Sequence, residues 1–193
     1  MISAIILAAG QSTRMGQQKM LLPWGQTTVI GKIVSTILQA GVIDIHLVTG
    51  ESHNKLEKIL IEFKIEFIFN KDYSNGEMLT SFQVGLTGVG VETEAALVVL
   101  GDQPQIESNI VQAIVDRYIS THHPIIVPSY NMHRGHPWLI EKSYWKEIFN
   151  LMPPHTLRDF LTMHNEVIDY INVETPSIIQ DLDTQKDYSK YKP

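Results

Sequence analysis

Two short runs, Ile2–Leu7 and Ala95–Leu100, constrain what this chain can fold into more than any other feature. Each is almost wholly apolar along its length. Apolar residues at consecutive positions, rather than at every second one, describe strands covered on both faces, as in the middle of a parallel sheet. Both fall far short of the roughly 18 residues that span a bilayer. Around them, strand-like and helix-like segments alternate. Helices are predicted over Thr28–Ala40, ending at Gly41, and over His53–Phe63, Leu79–Leu86, Ile106–Thr121, Ser143–Leu151, Thr156–His164 and Lys186–Tyr191. Strands are predicted at Ile45–Thr49, Glu66–Phe69, Ile125–Val127 and Val167–Val173, with an extra one at Trp138–Ile140. Such repeated units with short connections predict a three-layer α/β/α architecture on a mostly parallel, Rossmann-like sheet. No repeat, low-complexity stretch or linker interrupts the 193 residues, and Pro153-Pro154 reads as a kink between helices, so residues 1–193 are read as one domain.

In a sheet of this kind, ligands sit beyond the carboxyl ends of the strands. The segments after Leu7, Phe69 and Leu100 should therefore converge. The first of them, Ala8-Ala9-Gly10-Gln11-Ser12-Thr13-Arg14-Met15-Gly16-Gln17-Gln18-Lys19, joins small residues to two cations. Main-chain N–H groups can approach a ligand closely there, and the positive charge suits a triphosphate. It is not a Walker A loop, because five residues separate Gly10 from Gly16 and Lys19 comes three later. Nor does it hold the glycine triplet of the dinucleotide fingerprint. The plain alternative is a βα turn whose Arg14 and Lys19 point at solvent. If they bind phosphate, removing Lys19 should weaken nucleotide binding and leave thermal stability almost unchanged.

Asp102 stands directly after the Ala95–Leu100 strand, in Gly101-Asp102-Gln103-Pro104, where a carboxylate can hold Mg²⁺ over a phosphate. It could instead cap the following helix. Asp181 and Asp183 alternate along an extended segment and so share a face, although Asp183 could also cap the last helix. Thr80 and Ser81 lie where a helix begins, beyond a turn that Gly76 permits. Six of the eight histidines fall between His122 and His164, yet their spacing matches no zinc pattern. Arg134-Gly135-His136-Pro137 forms a stiff turn presenting two side chains able to carry positive charge. Trp24, Trp138 and Trp145 read as packing residues, and the basic-aromatic tail Tyr188–Lys192 is weak support for nucleic acid.

Leu7-Ala8-Ala9-Gly10-x-Ser12-x-Arg14-Met15-Gly16-x-x-Lys19, followed by Leu21-Leu22-Pro23, resembles the signature loop of the nucleotidyltransferases that activate molybdenum cofactor. Among these the chain is most similar to the cytidylyltransferases, since the guanylyltransferases usually carry a second glycine where this chain has Ala9. Gly101–Pro104, Gly135–Pro137 and Asp181-Leu182-Asp183-Thr184 extend the similarity along almost the whole chain. The resemblance implies Mg²⁺-dependent cytidylyl transfer (Mn²⁺ being an alternative ion) from CTP to the terminal phosphate of the cofactor. It implies Arg14, Lys19 and Asp102 as catalytic residues. Leu7, Ala8, Ala9, Gly10, Thr80, Ser81 and Gly101 would join them around the nucleotide. Asp102 and Asp183 would be metal ligands with Asp181 in support, and Gly135, His136, Pro137 and Arg158 would face the cofactor. The family's Gly-Met-x-x-Ser stretch is matched here only with one inserted residue, Gly76-Glu77-Met78-Leu79-Thr80-Ser81.

Composition narrows the alternatives. There is no cysteine, so thiolate chemistry and disulfides are excluded. A net charge of −6 with no signal-like N-terminus predicts a cytoplasmic protein that binds neither nucleic acid nor membrane. Its partners would be CTP, the cofactor and a client molybdenum hydroxylase. The competing readings are guanylyl transfer, transfer to a sugar phosphate, a non-catalytic cofactor chaperone, and a nucleotide-sensing module.

Overall fold

The computed structural model describes residues 1–12, 15–75 and 78–193, so the expectations placed on Arg14 and Gly76 lie outside the described residues. In chain order the elements are β1 (Ile2–Ala8), β2 (Pro23–Trp24), β3 (Thr27–Thr28), α1 (Val29–Gln39), β4 (Asp44–Thr49), α2 (His53–Ile59), β5 (Glu66–Phe69) and α3 (Met78–Gly88). They continue with β6 (Ala95–Leu100), α4 (Ser108–Thr121), β7 (Ile125–Tyr130), β8 (His133–Arg134), β9 (Trp138–Glu141), α5 (Trp145–Asn150), α6 (Leu157–Met163), β10 (Ile168–Asn172) and α7 (Gln185–Tyr191).

The main sheet runs β10-β7-β9-β6-β1-β4-β5, with β8 paired to β7. β1 lies between β6 and β4, parallel to both. The extra strand expected around Trp138 is β9, inserted antiparallel between β6 and β7. The fold is α/β on a mostly parallel sheet. Along β1, Ala4, Ile6 and Ala8 enter one core, beneath α1, α2, α4 and α7. Ile5 and Leu7 enter the other, beneath α3, α5 and α6. That alternation explains the unbroken apolar run, because each successive side chain has a helical layer to meet.

The boundaries differ from expectation where contacts distant in sequence decide them. The helix expected over His53–Phe63 ends at Ile59. The strand expected at Ile125–Val127 extends to Tyr130, because β10 and the short β8 pair with its second half. The β2–β3 hairpin, for which the pattern gives no signal, turns through Gly25, whose φ of +58° favours glycine. Thr156 and Thr184 each begin a helix with a reciprocal capping box, to Asp159 and Asp187. Among the described residues no helix is long and apolar enough to cross a membrane.

Candidate active site

The register of the central strands sets the site. Leu7 pairs with Leu100, so the chain after β1 and the chain after β6 leave the sheet side by side. Gly101 N–H donates to Leu7 O at 3.0 Å. A Cβ at Gly101 would stand 2.8 Å from Leu7 O and 3.2 Å from Ala8 Cα, so this approach excludes any side chain. Gly50 does the same for the other flank, where a Cβ would lie 2.7 Å from Ala9 O and 2.7 Å from Tyr73 Cβ.

Beyond Gly10 the loop returns as a short 3₁₀ turn, Lys19–Leu21, with Lys19 N–H donating to Ser12 Oγ at 3.2 Å. The Lys19 side chain does not point at solvent. Its Nζ lies 2.5 Å from Asp102 Oδ2 and 3.5 Å from Asp183 Oδ1. Leu182 N–H donates to Asp102 O at 3.0 Å, fastening the two acidic segments main chain to main chain. Neither aspartate caps a helix by its side chain, because Glu107 and Thr184 occupy the N-cap positions of α4 and α7.

Asp181 completes an acidic group on the other side. Gln103 Nε2 donates to its Oδ1 at 2.6 Å. Burial pushes the Asp181 carboxyl above the ordinary carboxylate range, and the charges of Asp102 and Asp183 push the same way; Gln103 and Lys19 offset part of this. Among the described residues no three acidic or histidine side chains close on one metal position. Asp102 and Asp183 nevertheless share one cation, the Lys19 ammonium, and they offer only hard oxygen donors. Two carboxylates with phosphate oxygens and water filling the remaining positions is an arrangement Mg²⁺ accepts. The residues present fit a divalent ion.

Two cavities open on either side of this group, sharing Leu100 as a wall. The smaller, about 160 Å³, is lined by Leu7, Ala9, Gly10, Lys19, Met20, Tyr73, Met78, Ser81, Leu100 and Asp102. Ser81 is held there by Asn70, whose Nδ2 donates to its Oγ at 3.2 Å. Thr80, on the same turn of α3, is not among the lining residues, and Ala8 and Gly101 shape the loop without lining it.

The larger cavity, about 570 Å³, brings Gln103, Asp181, Arg134, His136, Trp138 and Arg158 together. Gly135 and Pro137 frame it without lining it. Any Cβ at Gly135 would fall 2.5 Å from Ile178 O. His136 departs from expectation. It is buried, stacked on Trp138 with ring centroids 4.0 Å apart, and its Nδ1 lies 3.3 Å from Val98 O. Burial above all, with a smaller contribution from the nearby Arg158 charge and against the Val98 hydrogen bond, which raises it, lowers its pKa to about 3. The ring is therefore neutral at ordinary pH. Arg134 and Arg158 bring the positive charge to this cavity, with Arg134 held by Tyr170 Oη at 2.8 Å and Asn165 Oδ1 at 2.7 Å.

Trp24, Trp138 and Trp145 are buried as expected, but Trp138 also walls the larger cavity. Gly50, Tyr73 and Gln103 also shape the site without having been named as candidate residues. Gln103 and Ser12 sit inside motifs already noted, while Gly50 and Tyr73 give no signal short of the fold.

The model of the MobA-like NTP transferase domain matches residues 4–167. The chain is 34% identical over 188 residues to the molybdenum cofactor cytidylyltransferase of Escherichia coli K12, covering 97% of this chain and 93% of that one. The crystal structure of Rv0371c from Mycobacterium tuberculosis H37Rv superposes with a TM-score of 0.86 at 25% identity, covering 98% of this chain and 96% of that one. A complex of the same mycobacterial protein with manganese superposes with a TM-score of 0.82 at 25% identity, over the same shares of the two chains. With that match over most of its length, and that relative along nearly all of it, the chain belongs to the MobA-like nucleotidyltransferases.

Proposed function

We propose that this protein, acting as one domain in the cytoplasm, transfers a cytidylyl group from CTP to the terminal phosphate of molybdenum cofactor. The observation that carries the reading is the pair of cavities meeting at Leu100, with Lys19, Asp102 and Asp183 between them. A transferase of this class needs two anionic reactants side by side, with cations held between them to offset their repulsion. The smaller cavity takes the nucleotide and the larger takes the acceptor. The similarity to the Escherichia coli cytidylyltransferase supports this choice of reactants.

In the reaction, an oxygen of the acceptor phosphate attacks the α-phosphorus of CTP. A new P–O bond forms, the bond to the β-phosphate bridge breaks, and pyrophosphate leaves with the electron pair. No protein nucleophile is required. Lys19 and the N–H groups of the Ala8–Gly10 loop hold the phosphates, with Arg14 from the same loop. Asp102 and Asp183 would hold Mg²⁺, or Mn²⁺, which when bound neutralises phosphate charge. Catalysis is then mostly orientation and electrostatic stabilisation. Arg134 and Arg158 orient the acceptor, and neutral His136 supports it without adding charge. The product would serve a molybdenum hydroxylase.

The deciding experiment measures pyrophosphate release with each of the four ribonucleoside triphosphates, with and without molybdopterin. Release that needs both CTP and molybdopterin is the expected result. Equal use of GTP would overturn the cytidylyl assignment, and binding of molybdopterin without release would favour a chaperone.

A further inference from the structure

Two arginines meet β10, and they are held in opposite ways. Successive residues of a strand point to opposite faces of the sheet. Asp169 turns toward α4, where both its carboxylate oxygens accept from Arg117 Nη1, at 3.0 and 2.8 Å. That guanidinium is neutralised where it stands. Tyr170 packs against the other core, and its hydroxyl meets Arg134 instead. The register brings the two together: β8 and β10 flank β7, with Arg134 opposite Ser129 and Tyr170 opposite Val127, alternate positions of β7 and so on one face.

Arg134 is gripped by uncharged oxygens. Its Nε–H donates to Tyr170 Oη at 2.8 Å and its Nη2 to Asn165 Oδ1 at 2.7 Å, while Tyr170 Oη donates to the same Asn165 oxygen at 3.2 Å. These bonds close a ring along one edge of the guanidinium. Among the described residues no carboxylate pairs with Arg134 and its Nη1 has no partner. The Nη1–Nη2 edge is thus left open with its charge uncancelled, and that edge can grip a phosphate or carboxylate through two parallel bonds. Arg134 walls both the larger cavity and a side cavity of about 500 Å³, whereas Tyr170 and Asn165 line the side cavity alone. The clamped edge therefore lies toward the side cavity and the open edge toward the larger one.

We propose that Tyr170 and Asn165 are positioning residues for the acceptor: they fix Arg134 by one edge with neutral oxygens and keep its other edge, still charged, for an anionic oxygen group of that molecule. The assignment rests on the reading of the larger cavity as the acceptor site. A carboxylate in place of the Asn165 amide would hold the guanidinium at least as firmly, but would cancel the charge the acceptor needs.

That contrast supplies the test. Asn165→Asp is isosteric and lies at an exposed position, so the bond to Arg134 stays while its charge is offset. In steady-state pyrophosphate release the KM for molybdopterin should rise about tenfold, with kcat and the KM for CTP unchanged and the unfolding temperature no lower. Tyr170→Phe, which removes only the hydroxyl, should raise the KM for molybdopterin about threefold in the same pattern. A merely structural clamp predicts the reverse for Asn165→Asp, a firmer hold with the acceptor KM unmoved. An unchanged molybdopterin KM in Asn165→Asp would overturn the proposal, as would a parallel rise in the KM for CTP. Calorimetric titration of Arg134→Gln with molybdopterin separates the two ways of failing. If that variant binds molybdopterin more weakly while Asn165→Asp binds it normally, only the positioning claim fails. If Arg134→Gln binds it as tightly as the unmodified protein, the acceptor-site reading fails as well.

Discussion

Replacing Lys19→Met tests the junction directly, and the geometry changes what the sequence alone suggests. A loop cation facing solvent could be removed at little cost in stability. Here the Lys19 side chain is 11% exposed and meets Asp102 and Asp183, 20% and 34% exposed, at 2.5 and 3.5 Å. At an effective dielectric of about 20, opposite charges some 4 Å apart interact by about 4 kcal/mol. Desolvation and partial exposure cut the net value, while the carboxylates left behind repel one another, so about 2 kcal/mol of stability should be lost. For a chain of this size that lowers the unfolding temperature by about 4–8 °C. Excess magnesium should restore much of the loss, because a divalent ion can sit where the ammonium did, and its effect on the unmodified protein should be smaller. CTP affinity should fall about tenfold or more and should not recover, because the lost charge-assisted contact is with phosphate. Differential scanning calorimetry with and without magnesium, beside CTP titration, reads all three effects. A variant that unfolds at the unmodified temperature, or whose loss magnesium leaves untouched, would refute the reasoning.

Asp102→Asn should fold normally and lower the rate of pyrophosphate release by about two orders of magnitude or more; near-normal turnover would remove Asp102 from the mechanism. Ala9→Gly should narrow the preference for CTP over GTP in turnover efficiency, because the backbone beside the nucleotide cavity gains freedom; an unchanged ratio would place the discrimination elsewhere. Gly135→Ala forces a Cβ to within 2.5 Å of Ile178 O and should cost about 1–3 kcal/mol in urea unfolding. His136, with its pKa lowered from 6.5 to about 3, takes up its proton more readily when the chain is unfolded, so stability present above its ordinary pKa is lost as pH falls below it. Between about pH 7 and about pH 5 that loss should be about 2 kcal/mol, and His136→Asn should abolish it; the same loss in the variant would exclude His136 as its source.

Local pattern made much of the fold legible. β1 and β6 announce themselves because every residue on them has an apolar neighbour to meet, and α1 by its spacing, although Thr28, read as helical, proves to be its N-cap. Asp102 and Lys19 were legible as candidates because strand ends in such sheets face the ligand. Their pairing was not, since 83 positions separate them and only the β1–β6 register brings them together. The neutrality of His136 was hidden for the same reason: burial decides it, with the Arg158 charge adding to it, and neither the Trp138 ring stacked on it nor Arg158 is its immediate chain neighbour. Two-residue strands such as β2, β3 and β8 carry no period at all, and their pairing partners define them.

The main-chain link from Leu182 to Asp102 has a consequence for how the molecule is made. Every strand of the sheet has been synthesised once the chain reaches Asn172, yet Asp183 is still to come. A chain leaving the ribosome can therefore complete its scaffold while its acidic junction is half built. Only when the last segment is laid across the end of the sheet, with His136 N–H donating to Ile178 O and Tyr188 Oη to Pro23 O, does the second carboxylate arrive opposite the first. Order of synthesis thus makes the acidic junction one of the last features of the fold to be completed.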